Sequence, residues 1–583
     1  MNCYVKDYPR PQFVRDHWDD LSGEWNFLFD DDNVGEEMKY YNDLPADRII
    51  NVPFTYETEA SGINDQSQHD NVWYQRDVFL SKPDDKRVII HFEGSDYVTK
   101  LWINGMYVGK NIGGYHRFSF DITDELKNGL NTFTVKAEDS LSKSQARGKQ
   151  RYKKESFECW YVQTTGIWKT VWLEYVDRAH LNYVKNTPDP DTKTVTLEFE
   201  TSITEHEFQK DQYSIRAVIK AGERTVTDVT EELKGNNQKM LLMVDEKIFL
   251  WDVKKPFLYD IEYRLMKNGK TVDVVRSYFG FRKIEIKDSK IYLNGKMLYQ
   301  KLVLDQGYWK KTHLTPPSEQ ALIDDIDFVL DMGFNGVRKH QKIEDERFLY
   351  WCDAKGVLMW SEMANCYSFD AESTVSFTNE WMKAVKQNYN HPCIITWVPI
   401  NESWGVHDIA VDRAQQNYAD SLYYWTKGFD PTRPVIANDG WDHTICDIIT
   451  VHDYHQSGKE IWDRHVVNKE KILESKEPYN SRHCLMSEGY SYKGQPVLMS
   501  EYGGVAIRTG SGWGYGEQED TENGVLERYR DLTETIKKVP YYAGFCYTQL
   551  TDVQQEVNGL LDENRHFKYS QEIYDAIRDI NNN

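Results

Sequence analysis

Two glutamates follow apolar runs in the second half of the chain, where an acidic side chain is unexpected. Glu402 closes "IITWVPINE", and Glu501 follows the apolar start of "PVLMSEYGG". A carboxylate at the edge of a hydrophobic core is costly unless it is paired, solvated or protonated. Each glutamate is therefore either a strand end that forms an ion pair or an acid with a chemical role.

The elements that would position these glutamates are parallel strands alternating with helices. "SEQALIDDIDFVLDMGF", capped by Ser318, and "TENGVLERYRDLTETIKKV" carry apolar residues at helical spacing. Eight strands are predicted within residues 287–583: "LYQKLVL", "GVRKH", "VLMWSE", "IITWVPINE", "PVIAND", "DIITVHDY", "PVLMSEYGG" and "YAGFCYTQLTD". Eight βα units predict a (β/α)₈ barrel.

Both glutamates are predicted to lie at one end of this barrel. Catalytic groups of such barrels sit at the C-terminal ends of the strands. Glu402 is predicted as the last residue of the fourth strand, and Glu501 follows the apolar part of the seventh. Two carboxylates across one pocket suit cleavage of a glycosidic bond, where one protonates the leaving oxygen and the other stabilises or attacks the sugar carbon. The alternative is that each glutamate pairs with a Lys or Arg at a strand end.

The residues before the barrel predict two all-β domains. Residues 1–180 contain "RVIIHFEGSDYVTKLWINGMYVGK", in which Asn104-Gly105 joins two alternating runs as a type I′ hairpin. This pattern predicts a β-sandwich. Residues 181–286 are again strand-rich, as in "TVTLEFET", and their length suits an immunoglobulin-like sandwich.

Composition excludes several classes of partner. Among 583 residues, 70 Lys and Arg face 93 Asp and Glu, and the net charge of −23 repels phosphate backbones. No apolar stretch approaches the roughly 18 residues of a membrane span, and the start of the chain has no apolar signal region. The eight cysteines form no C-x-x-C pair, which favours free thiols. We expect a cytoplasmic protein that binds neither nucleic acid nor membrane.

Motifs along nearly the whole chain resemble glycoside hydrolase family 2, which includes β-galactosidases, β-glucuronidases and β-mannosidases. "LSGEWNFLFD", "VPFTYE", "WYQRDV", "GYHRFSFDIT" and "TTGIWKTVWLE" resemble signatures of its N-terminal domain. "NHPCIITWVPINES" resembles its acid/base signature, and "PVLMSEYGG" its nucleophile signature. The resemblance implies a sugar-binding-like jelly roll, an immunoglobulin-like sandwich and a catalytic barrel, in that order.

The resemblance also implies roles for four residues. Glu402 would be the general acid/base and Glu501 the nucleophile of a reaction that retains the anomeric configuration. Such enzymes hold the two carboxyl groups about 5 to 5.5 Å apart. Asn401 would bind the sugar 2-hydroxyl, and Tyr454 would hydrogen-bond to the nucleophile.

The second strand departs from the family pattern. Arg338 and His340 resemble residues that contact the sugar or brace the nucleophile, but the histidine stands one residue earlier than in the usual form. A shift of one residue along a strand exchanges its two faces. Lys339, next to Arg338, offers a second cation that could pair with an acidic sugar.

The eighth strand departs as well. Thr548 stands where relatives carry a tryptophan beneath the sugar, so the stacking platform is expected elsewhere, at Trp360, Trp404 or Trp441. Glucuronidases of the family carry an Asn-x-Lys motif whose lysine binds the sugar carboxylate. The corresponding segment here ends at Asn558 and has no lysine, which disfavours a glucuronidase of the usual kind. Asn558 itself is a candidate for contacting the sugar.

These features lead us to expect a retaining exo-β-glycosidase that acts on a small carbohydrate or glycoconjugate. A β-galactoside is the first candidate substrate, and a β-hexuronide, galacturonide ahead of glucuronide, is the second. A carbohydrate-binding protein without catalysis and a transglycosidase stay open. No cofactor is required; some relatives bind Mg²⁺ or Na⁺, for which Glu362 is the nearest candidate ligand, and Glu362 is also a candidate for binding substrate. The favoured interpretation of Glu362 is a carboxylate that forms hydrogen bonds to other residues of the site. Sandwiches provide subunit contacts in relatives, so a homo-oligomer is also considered.

Overall fold

Alternating apolar residues in the first part of the chain form two antiparallel sheets that pack face to face. The computed structural model describes residues 4–83, 85–244, 247–508 and 510–583. The strands of this first sandwich are β1 Trp18–Asp20, β2 Gly23–Phe29, β3 Arg48–Val52, β4 Asn71–Leu80, β5 Lys86–Phe92, β6 Ser95–Asp96, β7 Val98–Ile103, β8 Met106–Ile112, β9 Phe118–Asp121, β10 Gly129–Glu138, β11 Gly166–Ile167 and β12 Val171–Asp177.

The sheet order of the first sandwich is β3-β2-β4-β10-β7-β8 against β1-β12-β5-β9, with β11 paired to β6. The hairpin prediction for Asn104-Gly105 is confirmed. These residues join β7 to β8 with φ of 52° and 79°, the positive values that a type I′ turn requires. Between β10 and β11 lies a long irregular stretch, residues 141–165, which we call the bridging segment.

A second sandwich follows with sheets β13-β14-β17 and β16-β15-β20-β21. Its elements are β13 Leu181–Asp189, β14 Thr194–Thr201, α1 Glu205–Lys210, β15 Tyr213–Ala221, β16 Arg224–Leu233, β17 Asn237–Met243, β18 Trp251–Asp252, β19 Lys255–Pro256, β20 Tyr259–Lys267 and β21 Lys270–Phe279. Arg15 joins the two sandwiches, because its buried guanidinium pairs with Glu174 on β12 at 2.9 Å and with Asp273 on β21 at 2.8 Å.

The remaining residues form a small sheet and then the predicted barrel. Its elements are β22 Ile284–Lys287, β23 Lys290–Leu293, β24 Lys296–Met297, β25 Gln300–Asp305, α2 Glu319–Asp331, β26 Gly336–Lys339, α3 Glu346–Lys355, β27 Leu358–Glu362, α4 Ala371–Asn388, β28 Ile394–Val398, β29 Ile400–Asn401, α5 Arg413–Phe429, β30 Asn438–Asp439, β31 Ile449–His452, α6 Gly458–Trp462, α7 Lys469–Leu473, β32 Val497–Gly503, α8 Glu522–Lys538, β33 Tyr542–Thr548 and α9 Gln571–Asn582.

Parallel strands close this barrel in the order β28-β27-β26-β25-β33-β32-β31, and β30 completes the ring beside β29. The (β/α)₈ prediction is confirmed, with two local differences. The fifth strand is shorter than "PVIAND", because Val435 and Ile436 make only isolated bridges. Residues 440–448, between β30 and β31, form no helix.

The two predicted helices form for the expected reasons. Ser318 caps α2, where its hydroxyl accepts from the backbone amide of Ala321 at 3.2 Å. α8 buries the stripe predicted from its spacing: Val525, Tyr529, Leu532 and Ile536. Within the described residues, no helix is both long enough and apolar enough to cross a membrane. The seven described cysteines are free thiols, and Cys3 lies outside the described residues.

Candidate active site

Glu402 and Glu501 reach the C-terminal rim of the barrel in different ways. β29 ends at Asn401, so Glu402 is the first residue of the turn rather than the last residue of the strand. Its φ of 51° is in the left-handed region that non-glycine residues seldom adopt. Glu501 lies inside β32 and is nearly buried, with 5% of its side chain exposed against 20% for Glu402. Glu402 is thus the more accessible acid.

The two carboxylates face each other across His452. The Nδ1 atom of His452 lies 2.7 Å from Oε1 of Glu402 and 3.6 Å from Oε2 of Glu501. One carboxylate oxygen from each glutamate lies within 4.8 Å of the other. This short separation suits a nucleophile and an acid that act on one sugar carbon, and leaves little room for the extra water of an inverting enzyme.

Arg338 is the centre of the hydrogen bonds that position Glu501. Its Nη1 donates to Oε1 of Glu501 at 2.6 Å, and its Nη2 donates to Oδ1 of Asn401 at 2.6 Å. The same guanidinium pairs with Glu362 at 2.9 Å and with Asp439 at 2.7 Å. Arg338 is fully buried and all of these partners are at the rim. It therefore holds Glu501 and Asn401 in place rather than contacting a ligand itself.

His452 carries a charge that links both carboxylates. Burial opposes protonation, but Glu501 and Asp439 outweigh it and raise the pKa of His452 to about 10. The imidazolium then donates from Nδ1 to Glu402 and from Nε2 to Asp439, at 2.7 and 3.0 Å. No role for His452 or Asp439 was predicted from the sequence. Both lie at strand ends of the same rim, on β31 and β30. Their position at a strand end is the feature of the sequence that could have identified them.

Glu501 is held in its ionised form. Burial would raise the pKa of this carboxyl, but His452, Arg338 and the hydroxyl of Tyr454 lower it to about 2. Tyr454 donates to Oε2 of Glu501 at 2.6 Å and lies 3.0 Å from the hydroxyl of Thr548. An ionised carboxylate at neutral pH is what a nucleophile requires. The structure thus places Tyr454 and Thr548 beside Glu501.

Asn401 and His340 complete the floor of the site. Arg338 takes the amide oxygen of Asn401, so the NH₂ end is left for a ligand. The backbone amide of Asn401 donates to Oδ1 of Asn365 at 2.9 Å, which fixes the strand end. His340 is buried, and burial together with nearby cations keeps its pKa well below the ordinary value. His340 is therefore a neutral imidazole at neutral pH.

Two residues predicted to bind substrate are directed elsewhere. Lys339 is fully buried and pairs with Asp305 at 2.5 Å and Glu344 at 2.8 Å, on the face of β26 opposite to Arg338. The reason is strand alternation, which sends neighbouring side chains to opposite faces. Glu362 is fully buried, and its oxygens accept from Arg338 and from the backbone amide of Gln341 at 2.9 Å each. The expectation that Lys339 pairs with an acidic sugar is corrected, because its charge is taken by carboxylates inside the barrel. Glu362 orients Arg338 through their hydrogen bond and does not reach the pocket.

Asn558 belongs to a buried hydrogen-bond network rather than to the pocket surface. Its Oδ1 accepts from Gln549 at 2.7 Å, and its Nδ2 donates to Glu556 at 3.1 Å. Glu556 also accepts from the hydroxyl of Tyr161 at 2.5 Å. Because Tyr161 belongs to the bridging segment, the network ties the first sandwich to the eighth barrel strand. The expectation that Asn558 contacts the sugar is corrected accordingly.

The three tryptophans predicted as stacking platforms lie in different places. Trp360 is fully buried and donates to Gln300 at 2.8 Å, which excludes it from the pocket. Trp404 packs edge-on against Trp160 of the bridging segment, with ring centroids 5.2 Å apart. Trp441 lies edge-on to His452 at 5.5 Å. Trp404 and Trp441 therefore flank the two carboxylates.

The bridging segment covers the barrel rim, which no periodic pattern indicated. The backbone amides of Arg147 and Gly148 donate to the carbonyl of Asn365 at 3.0 and 3.1 Å. The carbonyl of Glu158 accepts from Trp513 and Gln555 at 3.0 Å each. These contacts bring Lys149, Cys159 and Trp160 to the mouth of the barrel. The first sandwich thus contributes one wall of the site.

Comparison with known proteins identifies the family. "Glycosyl hydrolases family 2, TIM barrel domain" matches residues 284–576, the family's "sugar binding domain" matches residues 18–174, and its central domain matches residues 179–282. The chain belongs to glycosyl hydrolases family 2. The jelly-roll, immunoglobulin-like and barrel architecture expected from the sequence is thereby confirmed.

Among curated relatives, the chain is 27% identical over 392 residues to a putative beta-glucuronidase of Formosa agariphila, covering 66% of this chain and 46% of that protein. It is 25% identical over 527 residues to a beta-galactosidase of Leuconostoc mesenteroides, covering 83% of this chain and 47% of that protein. The chain thus spans about half the length of these relatives.

Solved structures share the fold over almost the whole chain. A beta-galacturonidase from Eisenbergiella tayi bound to galacturonate has a TM-score of 0.77 at 18% identity and covers 99% of both chains. A β-glucuronidase from Ruminococcus gnavus in complex with D-glucuronic acid has a TM-score of 0.79 at 17% identity and covers 98% of both. At sequence identities this low, the likeness shows that the fold is shared and nothing further.

Proposed function

We propose that this protein is a retaining exo-β-glycosidase. The observation that carries the proposal is the pair Glu402 and Glu501, whose oxygens lie within 4.8 Å at the barrel rim. Glu501 is ionised, with a pKa of about 2, and Glu402 is the more exposed of the two. Membership of glycosyl hydrolases family 2 supports the same reaction class.

The reaction proceeds in two displacements. In the first, Glu402 gives its proton to the glycosidic oxygen while Oε of Glu501 attacks the anomeric carbon, and the aglycone leaves. In the second, Glu402 takes a proton from water, the water oxygen attacks the same carbon, and the bond to Glu501 breaks. Arg338 and Tyr454 hold Glu501 in position for the attack, and the NH₂ of Asn401 is placed to bind the sugar 2-hydroxyl.

The glycone is either a galactoside or a hexuronide. The names of the relatives support both, since they include beta-galactosidases and a putative beta-glucuronidase. The solved structures that match almost the whole chain include a beta-galacturonidase. Lys339 pairs with Asp305 and Glu344 inside the barrel, whereas Lys149 of the bridging segment is a cation within electrostatic range of Glu501.

We further propose that the enzyme needs no cofactor. The two glutamates supply both the proton and the nucleophile. Glu362, the predicted cation ligand, does not fit such a role because Arg338 and the amide of Gln341 take its two oxygens. Free thiols at the seven described cysteines favour a cytoplasmic location. The sandwiches offer surfaces for a homo-oligomer, which sedimentation would test.

Replacing the nucleophile tests the proposal. Glu501→Gln should lower kcat on nitrophenyl β-glycosides by roughly 10⁴-fold or more, with an unchanged circular dichroism spectrum. The matched control is Glu534→Gln on α8, where the carboxylate is exposed and should not affect kcat. The substrates should include galactoside, galacturonide, glucuronide, mannoside and glucoside, and NMR should show release of the β-anomer first.

Other outcomes would replace the proposal. Hydrolysis of none of these glycosides, with sugar binding retained, would show a carbohydrate-binding protein instead. Oligosaccharide products in place of free sugar would show a transglycosidase that uses the same intermediate. Unchanged activity in Glu501→Gln would refute the nucleophile assignment.

A further inference from the structure

Lys149 is fixed at the barrel rim by its own backbone. Its carbonyl accepts from the amide of Tyr161 at 2.8 Å, and the amide of its neighbour Gly148 donates to Asn365 at 3.1 Å. Asn365 accepts in turn from the backbone amide of Asn401 at 2.9 Å. A short chain of hydrogen bonds through Asn365 therefore connects the backbone at Lys149 to Asn401, the residue before Glu402. A residue held this way presents its side chain at a defined position.

The bridging segment packs tightly against the barrel at Gly148. Gly148 has a φ of 59°, and a Cβ on it would lie 2.6 Å from the carbonyl oxygen of Gln341. Gln341 follows β26, the strand that carries Arg338. The backbone before Lys149 thus lies in direct contact with the strand ends that carry the catalytic residues.

The ammonium of Lys149 lies close enough to Glu501 for their charges to interact. Cys159, Glu556 and Glu501 each favour the charge on this ammonium, and that charge in turn disfavours protonation of His340. Burial opposes its charge, but Cys159 and Glu556 outweigh burial and hold the pKa of Lys149 above its ordinary value. Lys149 is therefore a cation at neutral pH, and it lies within electrostatic range of Glu501.

Lys149 differs from the other cations of this rim. Arg338, Lys339 and Lys342 each pair with a carboxylate at 3.1 Å or less. Among the described residues, no carboxylate lies within the 4.0 Å of an ion pair with Lys149. A half-buried ammonium without such a partner gains most from an anionic ligand.

The neighbouring carboxylate of Glu556 does not take this role. Its oxygens accept hydrogen bonds from Tyr161 at 2.5 Å and from Asn558 at 3.1 Å, and Gln306 lies 3.5 Å away. Three donors directed at Glu556 satisfy it without Lys149. They also hold its negative charge in the buried network, away from the pocket surface.

We infer that Lys149 binds the glycone and makes the enzyme prefer β-hexuronides, because its ammonium can pair with a carboxylate at C6 of the sugar. The inference rests on the proposed glycosidase activity. A charge-assisted hydrogen bond of this kind is stronger than one to a neutral hydroxyl. The nucleophile and the acid come from the barrel, whereas the choice of sugar comes from the first sandwich.

Substitution of this lysine tests the inference. The wild-type enzyme should have a kcat/KM on nitrophenyl β-galacturonide or β-glucuronide at least tenfold above that on β-galactoside. Lys149→Met should lower kcat/KM on the uronides roughly 100-fold, mainly through KM, and lower it less than tenfold on the galactoside. Lys149→Arg keeps the charge and should retain part of the uronide activity. Lys154→Met, on an exposed residue of the same segment, is the matched control and should behave as wild type.

The results separate this inference from the proposed function. Hydrolysis of no glycoside by the wild-type enzyme would refute the glycosidase itself. A wild-type preference for galactoside, or an equal loss on both sugar classes in Lys149→Met, would overturn the role of Lys149 and leave the glycosidase intact. Binding of galacturonate to the inactive Glu501→Gln protein, measured by calorimetry, should weaken at least tenfold when Lys149→Met is added. Unchanged binding would also overturn the inference.

Discussion

At the scale of single residues, the charge on Glu501 depends on neighbours in or just after two other strands. Arg338 on β26, His452 on β31 and Tyr454 just after it all donate to this carboxylate or lie beside it. Donors that favour the ionised form lower the pKa of a carboxyl group despite its burial. Glu501 therefore carries its negative charge before a substrate binds, as the proposed nucleophilic role requires.

The Tyr454 hydrogen bond gives a prediction about pH. Tyr454→Phe removes a donor to the ionised form of Glu501, so the pKa of Glu501 should rise from about 2 towards its ordinary value. A hydrogen bond to a charged group corresponds to about one to two pKa units. The wild-type kcat/KM should stay level on acidification until the protein unfolds, while the variant loses activity below about pH 4.

The measurement is a pH–rate profile of both proteins with one substrate. Tyr492→Phe is the control, because the hydroxyl of Tyr492 donates to the carbonyl of Gln495 away from the site. Superimposable acidic limbs in the wild-type and Tyr454→Phe profiles would contradict the role given to Tyr454.

Sequence reasoning at this scale succeeded where a strand end carried the signal. Glu402, Glu501 and Asn401 were identifiable because an apolar run stops at each of them, and the structure brings them together. Lys339 was misplaced because two adjacent cations look alike in a sequence, while strand alternation allows only one of them into the pocket. His452 and Asp439 were missed because their roles depend on each other across separate strands.

At the scale of elements, the regular parts of the chain were predictable and the bridging segment was not. Helices α2 and α8 and the Asn104-Gly105 hairpin follow from local spacing and turn chemistry, so a short window of sequence suffices. The bridging segment has no period, and its partners Asn365, Gln555 and Glu556 lie hundreds of residues away in the chain. Its conformation depends on the finished barrel.

Close contact between this segment and the barrel predicts the effect of a single methyl group. Gly148→Ala adds a Cβ that would lie 2.6 Å from the carbonyl oxygen of Gln341, at a φ of 59°. The segment must shift, so kcat/KM should fall at least tenfold in addition to a strain of about 1 to 2 kcal/mol in stability.

Gly222→Ala is the control that distinguishes backbone strain from a steric contact with the barrel. Gly222 has a φ of 62°, but a Cβ there would meet nothing within 4 Å. This variant should lose a similar amount of stability, about 1 to 2 kcal/mol, and keep its activity. Thermal unfolding and steady-state kinetics measure both effects. Equal kinetics in the two variants would show that the position of the bridging segment does not matter for the reaction.

At the scale of the whole molecule, Arg15 joins the two sandwiches through residues that are far apart in the sequence. Its guanidinium is buried and binds Glu174 of the first sandwich, Asp273 of the second, and the carbonyl of Leu181 between them. Removing one member of a buried ion pair leaves the other charges uncompensated, at a cost of about 3 to 5 kcal/mol. Arg15→Met should therefore destabilise both sandwiches together.

Urea denaturation followed by circular dichroism measures this loss. The control is Arg216→Met, because Arg216 forms a similar two-bond pair with Asp228 on the surface, with 39% of each side chain exposed. Exposed pairs of this type contribute about 0 to 1 kcal/mol. If both variants unfolded at the wild-type urea concentration, Arg15 would not be the link between the domains.

The wall that the bridging segment builds has a consequence for how such enzymes diversify. The groups that break the bond and the cation proposed to choose the sugar belong to separate folding units of one chain. A chimera that joins this barrel to the first sandwich of a relative would take its catalytic residues from one parent and its sugar specificity from the other. Drift in a domain with no part in bond breaking could then redirect the enzyme to a new substrate while every catalytic residue stays unchanged.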